Sequence, residues 1–298
     1  MKKQNLKLQQ KIINTNSSEK HYSKRISYIF ITKNRTKLFY KALGELKKIK
    51  NRNDEIILVN GGDEEIIDNS IDLYIQEPDL NPSHAINKGI LIANGKYIKP
   101  MADDDLIRKK QLNQAIKLMD ANPSIDLLIC GGVIEKDNKI YPYYFPEGTN
   151  YGENIQNILD NGVCGAGFII RHTSIPLIGL VPLGIFSDVE FAIQAKSNGA
   201  IVKFCRINFF YHPVNEDSVT IKYKNKRQSE LEKIYKNYNL KINFFKNLIS
   251  YNSLPRIIIR YIFKNFFSYF HNKRANKLKL FNQELLDPES KFWDSKFS

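Results

Sequence analysis

The stretch YIKPMADDDLIRKKQ (Tyr97–Gln111) runs from an apolar-leaning segment straight into three consecutive aspartates, Asp103, Asp104 and Asp105. Adjacent like charges repel one another. Such a run at a strand end implies either a solvated helix start, which the helix dipole favours, or a positive charge held against it. Working outward, KYIKPM reads as the strand that delivers the aspartates. SHAINKGILIANG (Ser83–Gly95) reads as a helix stopped by Gly95. IDLYIQE (Ile71–Glu77) and EIILVNGGD (Glu55–Asp63) read as strands, the latter closed by a Gly-Gly turn. TKLFYKALGELKKIK (Thr36–Lys50) carries Leu38, Phe39, Ala42, Leu43 and Leu46 at helical spacing. Order begins at RISYIFITKNR (Arg25–Arg35), a β-branched and aromatic strand running into a polar loop.

Strands alternating with helices at these intervals predict βαβ units, an α/β class and a mostly parallel sheet flanked by helices. Ligands of such sheets bind beyond the carboxyl ends of the strands. The TKNR loop, Asn60 with its glycines, and Asp103–Asp105 all fall on that edge, and three polar loops converging there favour a site over a solvated turn.

Downstream, Gln111–Asp126 predicts an amphipathic helix ended before Pro123, and LLICGGVIE (Leu127–Glu135) a strand. Tyr141–Asn154 is an aromatic, Pro/Gly-punctuated loop of the length of a binding flap. GAGFIIRHT (Gly165–Thr173) reads as a strand. SDVEFAIQAKSNG (Ser187–Gly199) reads as a helix capped by Ser187 and closed by Gly199, and IVKFCRINFFYH (Ile201–His212) as a final strand.

The 298 residues are 42% hydrophobic with a formal net charge of +14, which describes a globular chain with a basic excess. Residues 1–25 hold +6 and residues 221–298 hold +11, which leaves −3 for residues 26–220. The body is therefore slightly acidic and the basic charge sits in the two ends, which argues against a nucleic-acid-binding face on the folded body. Cys130, Cys164 and Cys205 show no CxxC pairing, so neither a zinc site nor a disulfide framework is expected, and a reducing cytosol is the simpler setting. The basic N-terminus lacks the apolar run of a signal peptide, and no apolar stretch is long enough to span a bilayer.

Adjacent carboxylates at the mouth of a parallel sheet suit a hard divalent cation, Mn2+ or Mg2+, which takes oxygen ligands and substrate phosphates. Such an ion would also neutralise the repulsion within Asp103–Asp105. Asp188, at the start of its helix, is open to two readings: a residue favoured by the dipole, or a base.

The order of these segments resembles the family 2 glycosyltransferases of the GT-A (Rossmann-like) fold, which use nucleotide-sugar donors. The resemblance covers about residues 25–220. It rests on FITKNR (Phe30–Arg35), EIILVNGGD, AINKGILIANGKYI (Ala85–Ile98), ADDD (Ala102–Asp105) and SDVEFAIQAKSNGA (Ser187–Ala200), five landmarks in the family's order. It implies nucleotide contacts from Thr32, Asn34 and Arg35, and from Asn60 where relatives commonly have an Asp that reads uracil. Asn87 and Lys88 would line or support the nucleotide pocket. Asp104 aligns with the carboxylate that holds the metal. The family's first Asp is Ala102 here, so Asp103 is expected to take over its ribose or metal contact, while Asp105 either joins them or caps the next helix. Asp188 would be the catalytic base of an inverting transfer, with Glu190 supporting the acceptor or the fold. His212 is either a metal or diphosphate ligand, as in some GT-A enzymes, or a plain loop residue. CGAGF (Cys164–Phe168) would lie near the acceptor pocket or serve tight packing.

In LPRIIIRYIFKNFFSYFHNKR (Leu254–Arg274), Arg256, Arg260 and Lys264 trace a basic stripe beside a broad aliphatic and aromatic face. That pattern predicts a helix lying in an anionic membrane interface, or one docked with its basic side in water. The expected organisation is a basic lead-in over 1–24, a GT-A domain over 25–220 and a basic helical tail over 221–298. The expected activity is metal-dependent transfer of a sugar, from a UDP-sugar by preference, to a glycan or lipid-linked acceptor at the cytoplasmic face of a membrane. A catalytically degenerate relative acting as a membrane-associated binding protein is the alternative. A sugar-phosphate nucleotidyltransferase ranks lower, because TKNRTKLF lacks the glycines of its phosphate loop.

Overall fold

The structure, a computed structural model, describes residues 22–136, 139–143, 154–214 and 222–241. The basic lead-in before residue 22 and the stripe at 254–274 lie outside these residues. The chain divides into two compact units, residues 1–234 and 235–298.

The first unit runs β1 (Lys24–Thr32), α1 (Thr36–Ile49), β2 (Glu55–Asn60), β3 (Leu73–Gln76), α2 (Pro82–Ile92), β4 (Gly95–Ala102), β5 (Leu106–Ile107), α3 (Lys109–Ala121), β6 (Leu127–Lys136), β7 (Lys139–Tyr143), α4 (Ile155–Asn161), β8 (Phe168–Arg171), α5 (Ile175–Ile178), α6 (Ser187–Ser197), β9 (Val202–Val214) and α7 (Arg227–Asn237), the last crossing into the second unit. The nine strands form one sheet in the order β3-β2-β1-β4-β8-β6-β9-β5, with β7 paired to β6. The expected parallel arrangement holds across β3, β2, β1 and β4. Beyond β4 the sheet is mixed: β8 runs antiparallel to both β4 and β6, whereas β6 and β9 are parallel.

All six residues of β2 are buried, as befits a strand covered on both faces. On α1, Phe39, Ala42, Leu43 and Leu46 are buried while Leu38 is exposed. The apolar stripe follows the helical repeat, and Phe39 meets Phe30 of β1 edge-on at 5.4 Å between centroids. Helix α2 starts at Asn81, whose side chain accepts from His84 N at 2.9 Å, with Pro82 in the first turn. It lies close on β1 because residue 89 is glycine; a Cβ there would run into Ile29.

The amino ends of the central strands are closed by charge. Arg25 donates from Nε and Nη2 to Asp54 at 2.8 and 2.9 Å. Glu55 accepts from the Ser27 hydroxyl, from Asn94 N at 2.6 Å and from Asn94 Nδ2 at 3.3 Å.

Two local expectations change. Tyr141–Tyr143, expected in a loop, finish β7, which pairs with β6 across residues 132–136 and 139–143. Pro142 is tolerated because, among the described residues, β7 pairs with β6 alone. The residue preceding the first turn of α6 is Phe186, whose carbonyl accepts from Glu190 N at 2.8 Å. Ser187 is thus inside the helix and makes no capping bond.

Candidate active site

Thr32 ends β1, Asn60 ends β2 and Ala102 ends β4. Thr32 lies opposite Asn60, and Ile31 opposite Ala102, so the three polar loops begin at one level of the sheet. After Ala102 the chain turns sharply. Asp105 N donates to Ala102 O at 3.3 Å, and the Asp105 carboxylate accepts from Ala102 N at 2.8 Å. A four-residue turn closed from both sides places Asp103 and Asp104 at its centre, where their side chains part.

Asp103 faces β1. Its carboxylate accepts from the Thr32 hydroxyl at 2.8 Å and pairs with Arg35 Nη1 at 3.0 Å. Arg35 also pairs with Asp104 through Nη2. The guanidinium, at the start of α1, therefore bridges the two central carboxylates. Asp105 faces the other way, its Oδ1 lying 2.7 Å from Nδ1 of His212.

That last contact is built by strand pairing. β5 is antiparallel to β9 with Leu106 opposite Tyr211 and Ile107 opposite Phe210, and one step further along the register brings residue 105 to residue 212. Arg108 N donates to Phe209 O at 2.7 Å and extends the ladder. Ligand atoms of Asp104, Asp105 and His212 all lie within 4.8 Å of one another.

Asp188 enters from α6, half-buried, with Oδ1 accepting from Val189 N at 2.8 Å and Oδ2 from Gly165 N at 3.3 Å. The small residues around Gly165 let this backbone approach: a Cβ at Gly167 would collide with the carbonyl of Cys130.

The environment separates the carboxyls. Burial pushes Asp103 up to about 6 against the pull of Arg35 and the Thr32 hydroxyl. Burial, then the charge of Asp105, raises Asp104. For Asp105, burial is outweighed by His212, Lys99 and the Ala102 N–H, so its carboxyl falls below its ordinary value. Burial would lower His212, but Asp105, Asp104 and Asp188 raise it. Burial raises Asp188 despite two backbone donors and the charge of His212. Beneath the turn, Lys99 is buried on β4, donates to Pro100 O at 2.5 Å and lies 5.5 Å from the centroid of the Phe209 ring. Burial brings its ammonium down to about 8, and Asp105 is the largest opposing charge.

Thr32, Arg35, Asp103, Asp104, His212 and Asp188 thus gather at the carboxyl edge. Asn60 and Asn87 are committed elsewhere. Asn60 Nδ2 donates to Glu64 O at 2.6 Å and to the Tyr74 hydroxyl at 3.1 Å, while its Oδ1 accepts from Gly62 N at 2.9 Å. Asn87 exchanges two 2.8 Å bonds with the backbone of Val181. Asn34 has a left-handed backbone, φ 57, and its amide fills the space beside Gly62. Lys88 donates to Pro78 O at 2.9 Å and pairs with Glu77 at 2.6 Å, supporting the wall beneath.

The cluster differs from the sequence expectation in one member: Asp105 sits with His212 and Asp104, while Asp103 sits with Thr32 and Arg35. The only sequence signal for this was that a turn must send adjacent side chains apart.

A parallel βαβ half with an acidic turn at its carboxyl edge, followed by a mixed half that returns a histidine and a helix-borne aspartate to that turn, defines a GT-A-type fold. The profile of glycosyl transferase family 2 matches residues 27–175, half of the 298-residue chain, and the chain belongs to that family.

No curated protein sequence matches the chain. Among solved structures it is similar to residues 1–349 of S. aureus TarS in complex with UDP-GlcNAc, with TM-score 0.56, 16% identity and coverage of 78% of this chain and 68% of that one. It is also similar to the mannosyltransferase PcManGT of Pyrobaculum calidifontis in complex with GDP-Man and Mn2+, with TM-score 0.51, 14% identity and coverage of 73% and 65%. Against a further TarS structure the TM-score is 0.50, and the match spans only 43% of that chain. Among the described residues, no helix is long and apolar enough to cross a membrane.

Proposed function

We propose that the protein is a metal-dependent, inverting glycosyltransferase that moves a sugar from a nucleotide diphosphate, UDP by preference, to a glycan or lipid-linked acceptor. The observation that carries this reading is the meeting of Asp104, Asp105 and His212 within 4.8 Å at the sheet edge that also presents Asp188. Carboxylate and imidazole donors together fit Mn2+, and Mg2+ less closely. Bound there, such an ion supplies positive charge against the donor's diphosphate.

Thr32, Arg35 and Asp103 form the nucleotide side of the edge, the guanidinium being suited to diphosphate oxygens. Asn34, Asn60 and Asn87 shape the walls around it. Asp188 is the base. Its carboxylate takes the proton from the acceptor hydroxyl as that oxygen bonds to the anomeric carbon and the carbon–oxygen bond to the diphosphate breaks. A raised pKa makes the carboxylate a better proton acceptor. Because the ionised form does the work, the rate falls as pH drops through that raised value.

Titration calorimetry with UDP, with and without Mn2+, tests the donor site. Mn2+-dependent binding that disappears in Asp104→Ala is the expected result. Silence with UDP, GDP, CDP and dTDP alike would overturn the reading. The basic and aromatic sequence over 254–274 supports peripheral attachment of the protein to an anionic membrane. Co-sedimentation of the full chain with phosphatidylglycerol vesicles, and its absence with phosphatidylcholine, is the corresponding check.

A further inference from the structure

Cys130 on β6 and Cys205 on β9 take no part in the site described above. Ile129 lies opposite Phe204 in the parallel ladder, and Cys130 and Cys205 directly follow that pair on their strands. Their sulfurs are 3.1 Å apart, and all three cysteines are free thiols. Neighbouring strands lie about 4.8 Å apart, inside the Cα separation of about 4.4–6.8 Å that a disulfide spans. The sulfurs need to approach by only about 1 Å to bond.

The ladder breaks at this point. The next paired residues are Gly131 and Asn208, so β9 carries extra residues opposite β6 and the ladder is interrupted. Access and acidity then separate the two thiols. Cys130 is fully buried and Cys205 half-buried. The bond from Cys130, with help from the Ile207 N–H and Lys203, holds Cys205 below its ordinary value, whereas burial pushes Cys130 up.

We propose that Cys130 and Cys205 form an oxidant-responsive dithiol site that closes to an intrachain disulfide when the protein meets a hydroperoxide. The Cys205 thiolate attacks the peroxide, an S–O bond forms, the O–O bond breaks and the departing oxygen leaves as water or alcohol. The Cys130 sulfur then attacks Cys205, the S–S bond forms, the S–O bond breaks and water leaves with the Cys130 proton. Two thiols are oxidised and one peroxide is reduced. The link ties β6 to the strand that carries His212. The proposal is independent of the transferase reading.

Reduced full-length protein is exposed to hydrogen peroxide, its remaining thiols are alkylated and its peptides are mapped without reduction. The expected result is a Cys130–Cys205 cross-linked peptide that dithiothreitol reverses, with Cys164 unlinked. Cys130→Ser, which leaves no resolving thiol, should trap a sulfenic acid at Cys205 that dimedone captures. The proposal is overturned if both thiols survive in the unsubstituted protein. A sulfinic acid at Cys205 or a link between molecules, in place of the intrachain bond, would overturn it equally.

Discussion

At the amino ends of β1, β2 and β4, Asp54 and Glu55 are buried among donors that match them. At the carboxyl ends, Asp103, Asp104 and Asp105 crowd into one turn and share a guanidinium and an imidazole. At the first end Asp54 accepts two bonds from Arg25 and one from Asn51 N at 2.8 Å, and Glu55 takes three from Ser27 and Asn94. At the second, burial leaves Asp103 at about 6 and Asp104 raised. The same residue type buried at the two ends of the same strands therefore does opposite work. Matched carboxylates hold the sheet together, whereas crowded ones keep a local deficit of positive charge that a ligand can supply. Fold stability and binding capacity are drawn from different ends of the strands.

The strongest attempt to break this comparison is Asp188→Asn, which keeps the shape and removes the base. A fall in kcat of about 10²–10⁴-fold is expected, with the thermal midpoint and UDP affinity unchanged. An equal loss of stability would make Asp188 a framework residue. Next in size is Glu55→Ala at the matched end. It strands the buried Ser27 hydroxyl at about 1–3 kcal/mol, while the exposed Asn94 can turn to water, so chemical denaturation should register a loss of about that size.

Lys99 sharpens the contrast through pH. Its pKa falls from 10.5 in the unfolded chain to about 8 in the fold, so between those values the unfolded chain binds more protons and unfolding becomes harder as pH rises. Relative to Lys99→Met, the unsubstituted protein should gain up to about 3 kcal/mol of stability between pH 7 and pH 10.5, read from denaturant midpoints at both pH values. Only a small stability change is expected for Asp103→Asn. At neutral pH it removes a carboxylate that burial disfavours and also a partner of Arg35, so the midpoint should move little while Mn2+-dependent UDP binding weakens. A large stability loss there would make the turn another matched site.

Much of this was legible in the residues. β1 and β2 announce themselves by unbroken apolar runs, and α1 by its repeat. The aspartates were visible as a run whose repulsion needed an explanation. The pairing of Asp105 with His212 was not legible, because it depends on β5, two residues too short to show any periodicity. Asn60 was placed at the nucleotide, and Asn87 in or behind its wall, by the family resemblance alone, because a buried amide looks the same in sequence whether it bonds a nucleotide or a neighbouring carbonyl. At the start of α6, Phe186 and not Ser187 precedes the first turn, and no side-chain hydrogen bond caps the helix there. The strand ending at Tyr143 was hidden by its proline, which is tolerated because, among the described residues, β7 pairs with β6 alone.

β5 also has a mechanical meaning. Leu106 and Ile107 are fastened to β9 by a very short ladder, and next to it Asp105 and His212 form a clasp between segments 107 positions apart in the chain. Whatever occupies the space between Asp104, Asp105 and His212 therefore closes the rim of the sheet as well as the site. Occupancy should slow the hydrogen–deuterium exchange of the amides at Leu106 and Arg108, in proportion to how tightly the occupant is held. The rim would then report, as a rate of solvent exchange, on the filling of the site beside it.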